Sequence, residues 1–293
     1  MVLLNSNLRK AISEYKNKSL YPLHKALWLW IKNRDIEYTS IKKQDWSKYK
    51  TSDTIFIFGS GPSINDISKE QWEYINTHDS FGINYFFLKR VPTTFYYCGY
   101  EPTSNHTLEL SFANDEKLRS LYQKSIWFLP SKVIYRLYHP RIIPSFFPQN
   151  TKLAIFDVPP SIQFDNDRHF LAEDFKRSIL YRSTISTAIY LADCIGYKNI
   201  VLMGIDLHTY HHFFDDYEVF CEIRKKYYYD QHKLGKENTF EDLLPKKESK
   251  KRTLEEYYYA VNELYFQPKG TNIYVGNKNN MLSPRIPLFS EFE

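Results

Sequence analysis

Short, dense apolar runs alternate along the chain with polar breaks that carry glycine, asparagine or proline. The clearest run, Thr54-Ile55-Phe56-Ile57-Phe58, is β-branched and aromatic and stops abruptly at Gly59-Ser60-Gly61-Pro62-Ser63. Such a run, bounded by turn residues, predicts a buried strand, and the spacing after it predicts a helix over 64–75. Further strands are predicted over 79–84, ending in Asn84, and over 93–99, 126–129 and 153–156, with a helix over 115–125. A helix of small apolar residues follows Arg182-Ser183-Thr184 and ends at Gly196. It leads into a buried strand, 199–203, that closes on Gly204-Ile205-Asp206. Strands alternating with helices predict an α/β fold with a Rossmann-like, mostly parallel sheet.

The same pattern divides the chain. Residues 1–50 precede the first core strand and read as a helical appendage, with a polar linker over 41–50. Within it, Trp28 and Trp30 stand among lysines, a composition that suits either packing on the main domain or a membrane headgroup layer. Residues 51–210 read as the nucleotide-binding core. Residues 211–268, charged and tyrosine-rich, read as a helical lid or acceptor-binding insertion, with helical stretches over 217–234 and 254–266 and a basic run over 246–252. A basic run is either a solvated loop or a surface for an anionic glycolipid. Residues 269–293 add a late strand and turn to the core.

Composition narrows the partners. A chain of 293 residues with 43% hydrophobic and 17% aromatic content has a core to bury. Its net charge of +5 suits an anionic ligand, but the basic residues are scattered and mark no nucleic-acid stripe. Cys98, Cys194 and Cys221 share no metal or redox spacing and read as reduced thiols. No apolar run reaches the roughly 18 residues of a membrane span. A cytoplasmic protein is expected, soluble or peripheral on the inner face of a membrane, and a homo-oligomer is compatible with this reading.

Three clusters carry candidate chemistry. At the glycine turn (Gly59, Ser60, Gly61, Ser63) the backbone can approach a ligand closely, and N–H groups opening a helix favour an anion. The turn matches neither Gly-x-Gly-x-x-Gly nor a P-loop, and a ligand-free corner is the alternative. Asn84, past a strand end, suits a base edge or ribose hydroxyl, or a turn with an unusual backbone angle. Arg182, Ser183 and Thr184 at a helix start suit a phosphate or carboxylate. His208, His211 and His212, beside Asp215 and Asp216, suit stabilisation of a leaving phosphate or activation of an acceptor hydroxyl, with a metal site or solvated lid histidines as alternatives. Asp165-Asn166-Asp167 has a metal-holding spacing but reads as a solvated loop; no metal and no cofactor are expected.

Several of these segments resemble one family. Gly59-Ser60-Gly61-Pro62-Ser63 is similar to the Gly-Asn-Gly-Pro-Ser turn of the bacterial sialyltransferases of glycosyltransferase family 42. Ile83-Asn84-Tyr85-Phe86 resembles their Cys-Asn-Gln-Phe segment. Ser183-Thr184, Gly196-Tyr197-Lys198, Gly204-Ile205-Asp206 and Asn279-Asn280-Met281-Leu282 match further parts of the pattern, as do the sialyltransferase-like domains of Maf proteins at the glycine turn and Gly-x-Asp-Leu. The resemblance implies a modified GT-A-type fold with a lid over a CMP-sugar and metal-free transfer. It implies that Gly59, Ser60, Gly61 and Asn84 hold cytidine, with Ser63, Asp206 and Asn280 in the same nucleotide-binding set. Ser183 and Thr184 would hold the phosphate and sugar carboxylate, with Arg182 one place from the family's arginine. There are departures. The family's third-strand asparagine aligns with Tyr97 or Cys98, its lid tyrosines align with His208 and His212, and its catalytic histidine has no counterpart in 246–252.

The sequence thus predicts a glycosyltransferase moving sialic acid or a related acidic sugar from a CMP-sugar donor to a surface glycan or lipooligosaccharide, with His208, His211, His212 and Arg182 as the catalytic candidates. A CMP-Kdo transferase, a magnesium–ATP pyrophosphokinase and a non-catalytic scaffold are the alternatives.

Overall fold

The computed structural model describes residues 37–40, 45–97, 115–130, 151–156, 171, 175, 183–207, 212–215, 217, 253–283 and 285–293. Eight strands make one sheet: β1 (Glu37–Ser40), β2 (Thr54–Phe58), β3 (Asp79–Ile83), β4 (Phe95–Tyr97), β5 (Ile126–Pro130), β6 (Lys152–Phe156), β7 (Asn199–Met203) and β8 (Asn272–Val275). Their order is β1-β6-β5-β4-β3-β2-β7-β8, and every pairing is parallel. From β2 the chain steps outward through β3 to β6, then returns to lay β7 against the other side of β2. That return makes a switch point between β2 and β7, where open parallel sheets bind ligands beyond the strand C-termini. The α/β, Rossmann-like class read from the sequence is the class observed.

Both faces of the sheet are covered, as an all-parallel sheet requires. Ile55 and Ile57 point to one side, where they join α3 (Thr184–Ile195) and α4 (Leu254–Val261) in one buried cluster. Phe56 and Phe58 point to the other, towards α1 (Lys69–Ile75), a 3-10 turn over Asn84–Lys89 and α2 (Glu116–Leu121). Phe58 stacks on Phe86 with centroids 4.4 Å apart. Full burial of one such ring stabilises by about 2 kcal/mol, and β2 buries two on this face.

The helix expected over 64–75 is two pieces. A 3-10 turn covers Pro62–Asp66, and α1 restarts after Ser68, whose hydroxyl and Gln71 form a reciprocal capping box. The cap satisfies N–H groups that a continuous helix would have bonded internally, so the break is locally encoded. The appendage boundary drawn at residue 50 also shifts. β1 pairs with β6, and Trp46 is buried against Phe128 with centroids 5.2 Å apart. A polar four-residue edge strand has no apolar run to announce it. The first 36 residues, with Trp28 and Trp30, lie outside the described residues. At the other end, the span assigned to a lid is core at both described margins. Phe213, Phe214, Tyr257, Tyr258, Val261 and Phe266 are all buried. No helix among the described residues is long and apolar enough to cross a membrane.

At the strand N-termini, Asp79 is buried and accepts from the Thr51 and Ser52 N–H groups and the Thr51 and Thr94 hydroxyls. Nearby, Asp53 sits between Lys198 (2.8 Å) and Lys50 (2.6 Å), joining the entries of β2 and β7. Hydrogen bonds from Lys198 and then Lys50 hold its carboxyl down at about 2. Folding lowers this pKa, so its contribution is complete above the unfolded value near 3.9 and is lost as pH falls through 2. Asp53→Asn is therefore expected to lower Tm at pH 5, with the gap to wild type closing between pH 4 and 2 in a pH series of thermal melts.

Candidate functional site

β2 and β7 end side by side and stay joined beyond their last residues. The Gly59 N–H donates to Met203 C=O (2.7 Å), and the Gly61 N–H to Gly204 C=O (2.8 Å). A Cβ on Gly59 would lie 2.3 Å from the Gly204 carbonyl oxygen, so only glycine admits this approach. Gly204 itself turns with φ +62°, in the left-handed region. Two residues on, the Asp206 carboxylate accepts from the Ser63 N–H (2.8 Å) and the Ser63 hydroxyl (2.7 Å). Ser63 thus turns its donors to a carboxylate of the chain itself. Ser63 and Asp206, both read as nucleotide contacts, are joined to each other and brace the turn that Gly59, Ser60 and Gly61 present.

Asn84 follows directly on β3 and sits at φ 47°. Asparagine tolerates that left-handed position better than most residues. Its carbonyl accepts from the Tyr96 hydroxyl (2.6 Å), which in turn accepts from the Phe87 N–H (2.8 Å). The side-chain amide donates to the Thr184 hydroxyl at 3.0 Å, across 100 residues of sequence. Thr184 opens α3, and Ser183 caps it by accepting from the Ile185 N–H (3.1 Å). Two residues drawn from separate halves of the chain therefore meet at the C-terminal edge of the sheet. Tyr96, one of three consecutive aromatics in β4 and unmarked in the sequence, fixes the backbone that aims Asn84.

The glycine turn also holds the segment around Phe213. Ser60 C=O accepts from the Phe213 N–H (3.0 Å), and the Asn65 amide donates to Phe213 C=O (2.8 Å). Lys89 donates to Asn65 (2.8 Å), and burial lowers its pKa. His212, one residue away, has an exposed side chain stacked on Phe214 at 5.0 Å, and its N–H donates to Asp215 (3.0 Å). This places His212 at the rim of the turn. His208, His211 and Arg182 lie outside the described residues, as do Asp165-Asn166-Asp167 and the basic run 246–252.

Asn280 is buried. Its amide donates to Ile205 C=O (3.1 Å) and accepts from the Leu282 N–H (2.9 Å), so it ties the segment between Gly204 and Asp206 to the late turn. A cavity of about 640 Å³ opens beside it, among Ser63, Gln71, Met203, Asn277 and Asn279. It touches Ser63 and Asn280 but neither Asn84 nor Thr184, which places it on the β7–β8 side of the glycine turn.

No protein-family model matches the chain, and no curated protein does. Solved structures do. A monofunctional α-2,3-sialyltransferase, Cst-I from Campylobacter jejuni, aligns with 83% of this chain and 82% of its own at 17% identity and a TM-score of 0.46. CstII from the same organism, in complex with the substrate analogue CMP-3FNeuAc, aligns with 82% of this chain and 86% of its own, at 13% identity and a TM-score of 0.45. Likeness at this distance leaves the functional reading to rest on the chain's own residues.

Proposed function

We propose that this protein is a glycosyltransferase that takes an acidic sugar from a CMP-sugar donor, sialic acid or a related nonulosonic acid, and passes it to a surface glycan or lipooligosaccharide. The observation that carries the proposal is the Asn84–Thr184 hydrogen bond. It joins the residue suited to a cytidine edge to the helix start suited to an anion, beside the glycine turn at the switch point of the sheet. A nucleoside monophosphate ester needs both kinds of group in one site, one for its base or ribose and one for its phosphate.

In the proposed mechanism the glycine turn and Asn84 hold cytidine, while Ser183 and Thr184 take the phosphate and sugar carboxylate. The bond from the anomeric carbon to phosphate breaks, leaving an oxocarbenium-like centre, and its electron pair departs with CMP. Donors preorganised at the start of α3 favour that developing charge. The acceptor hydroxyl attacks the anomeric carbon and gives up its proton, either to a histidine of the 208–212 segment or, where that histidine instead stabilises the leaving phosphate, to the CMP phosphate itself. The exposed position of His212 next to Phe213, which bonds to the glycine turn, supports this reading.

A thermal-shift titration with CMP, UDP, ATP and NAD, each with and without magnesium, tests the reading. Stabilisation by CMP, unchanged by magnesium, is the expected result. A shift only with ATP and magnesium would replace the transferase with a pyrophosphokinase. No shift with any nucleotide would leave a scaffold.

A further inference from the structure

Tyr258 lies on α4 and is fully buried, yet its hydroxyl makes no hydrogen bond. Orphaned buried hydroxyls are uncommon and costly, because the group has left water and gained nothing in return. The residue is also tightly held. A capping box formed by Thr253 and Glu256 fixes the start of α4, and the Tyr257 ring meets the Tyr258 ring edge-on at 5.4 Å. A π-helical turn, Asn262–Phe266, follows at once, a local geometry frequent at functional sites. The hydroxyl faces Ser183 and Ser186, the cap and first turn of α3. Burial pushes its pKa up to about 12 and those two hydroxyls pull it partly back, so at neutral pH it is a proton donor.

We infer that Tyr258 is a positioning residue: when the donor is bound, its hydroxyl donates to the Ser183 oxygen and so directs the Ser183 proton outward to the anionic group of the donor. The count of bonds at Ser183 makes the case. A serine oxygen has two lone pairs and one proton. One lone pair takes the Ile185 N–H. With Tyr258 donating to the second, the serine's own proton has only the outer side left to face. An anion there polarises the serine O–H, makes its oxygen a stronger acceptor and draws in the tyrosine hydroxyl. The chain of bonds strengthens cooperatively.

This inference rests on the CMP-sugar reading, and its test separates the two. CMP binding is measured by calorimetry for wild type, Tyr258→Phe, Ser183→Ala and the double variant, with Tm recorded for each. Phenylalanine keeps the ring and removes only the hydroxyl, so Tyr258→Phe is expected to hold or raise Tm. Its CMP affinity is expected to fall about fivefold, the scale of one net hydrogen bond, and Tyr258→Phe should change nothing further in the Ser183→Ala background. Unchanged affinity in Tyr258→Phe, or an undiminished effect in the Ser183→Ala background, overturns the inference while the CMP-sugar reading stands. A Tm loss of several degrees alongside the affinity loss makes the hydroxyl a structural group and also overturns it. Absence of CMP binding by the wild type removes the reading and the inference with it.

Discussion

Gly59→Ala is expected to lose about 3 kcal/mol of folding stability, at the upper end of overpacking costs, seen as a lower urea midpoint with an unchanged slope. The added methyl would lie 2.3 Å from the Gly204 carbonyl oxygen, and that oxygen is backbone. It cannot swing aside like a flexible side chain, because it accepts from the Gly61 N–H and follows the last paired residue of β7. Separating the two strand ends would also stretch the 2.7 Å bond from the Gly59 N–H to Met203. Gly270→Ala provides the control. It has φ +72° but nothing within 4 Å of the new methyl, so only the left-handed conformation is penalised, at about 1 kcal/mol. Equal losses in the two variants would mean that β2 and β7 do not approach as closely as described.

Asn84→Asp is expected to weaken CMP binding at least tenfold, or about 1.4 kcal/mol, the range of hydrogen bonds to charged groups. Alanine is the less informative change. At φ 47° it would strain the backbone as well as remove the amide, and a loss of binding could then report the strain. Aspartate tolerates the left-handed region, fills the same space and leaves the carbonyl free to accept from Tyr96. What changes is the donor to Thr184, replaced by a negatively charged acceptor beside the proposed phosphate position. Calorimetry with CMP measures the loss, and a melt on the same sample checks that Tm moves little. An Asn84→Asp protein that bound CMP as tightly as wild type would remove Asn84 from the site.

Much of the frame was legible in the chain because it is locally encoded. The run 54–58 and the run 199–203 are apolar on both sides of the strand, the signature of a parallel sheet buried on two faces. Gly196 ends α3, as its place after the last apolar residue implied. Asn84 and Thr184 are each recognisable in the sequence as polar residues suited to a ligand, but the bond between them is a product of the topology.

What escaped the sequence reading depends on distant partners. Asp206 looked like a ligand-binding acid past a strand end, and nothing within the 143 residues separating it from Ser63 shows that the two are bonded. β1 is recognisable only through β6, more than a hundred residues later. The 254–266 stretch reads as a charged, tyrosine-rich lid. Its buried residues, Tyr257, Tyr258, Val261, Tyr265 and Phe266, nevertheless recur at the three- and four-residue spacing of an apolar helix stripe. That spacing was the available signal, and the surrounding charge concealed it. Tyr258 could be recognised as unusual only once its hydroxyl was seen to be buried without a bond.

The central claim is that the edge of the sheet between the glycine turn and α3 is a cytidine monophosphate site, and calorimetric titration of the wild-type protein with CMP in magnesium-free buffer tests it most directly. The account predicts saturable one-to-one binding that magnesium does not alter and that Asn84→Asp weakens at least tenfold, as one charge-assisted hydrogen bond implies. No binding by the wild type, or CMP binding that is equal in both proteins, would contradict it.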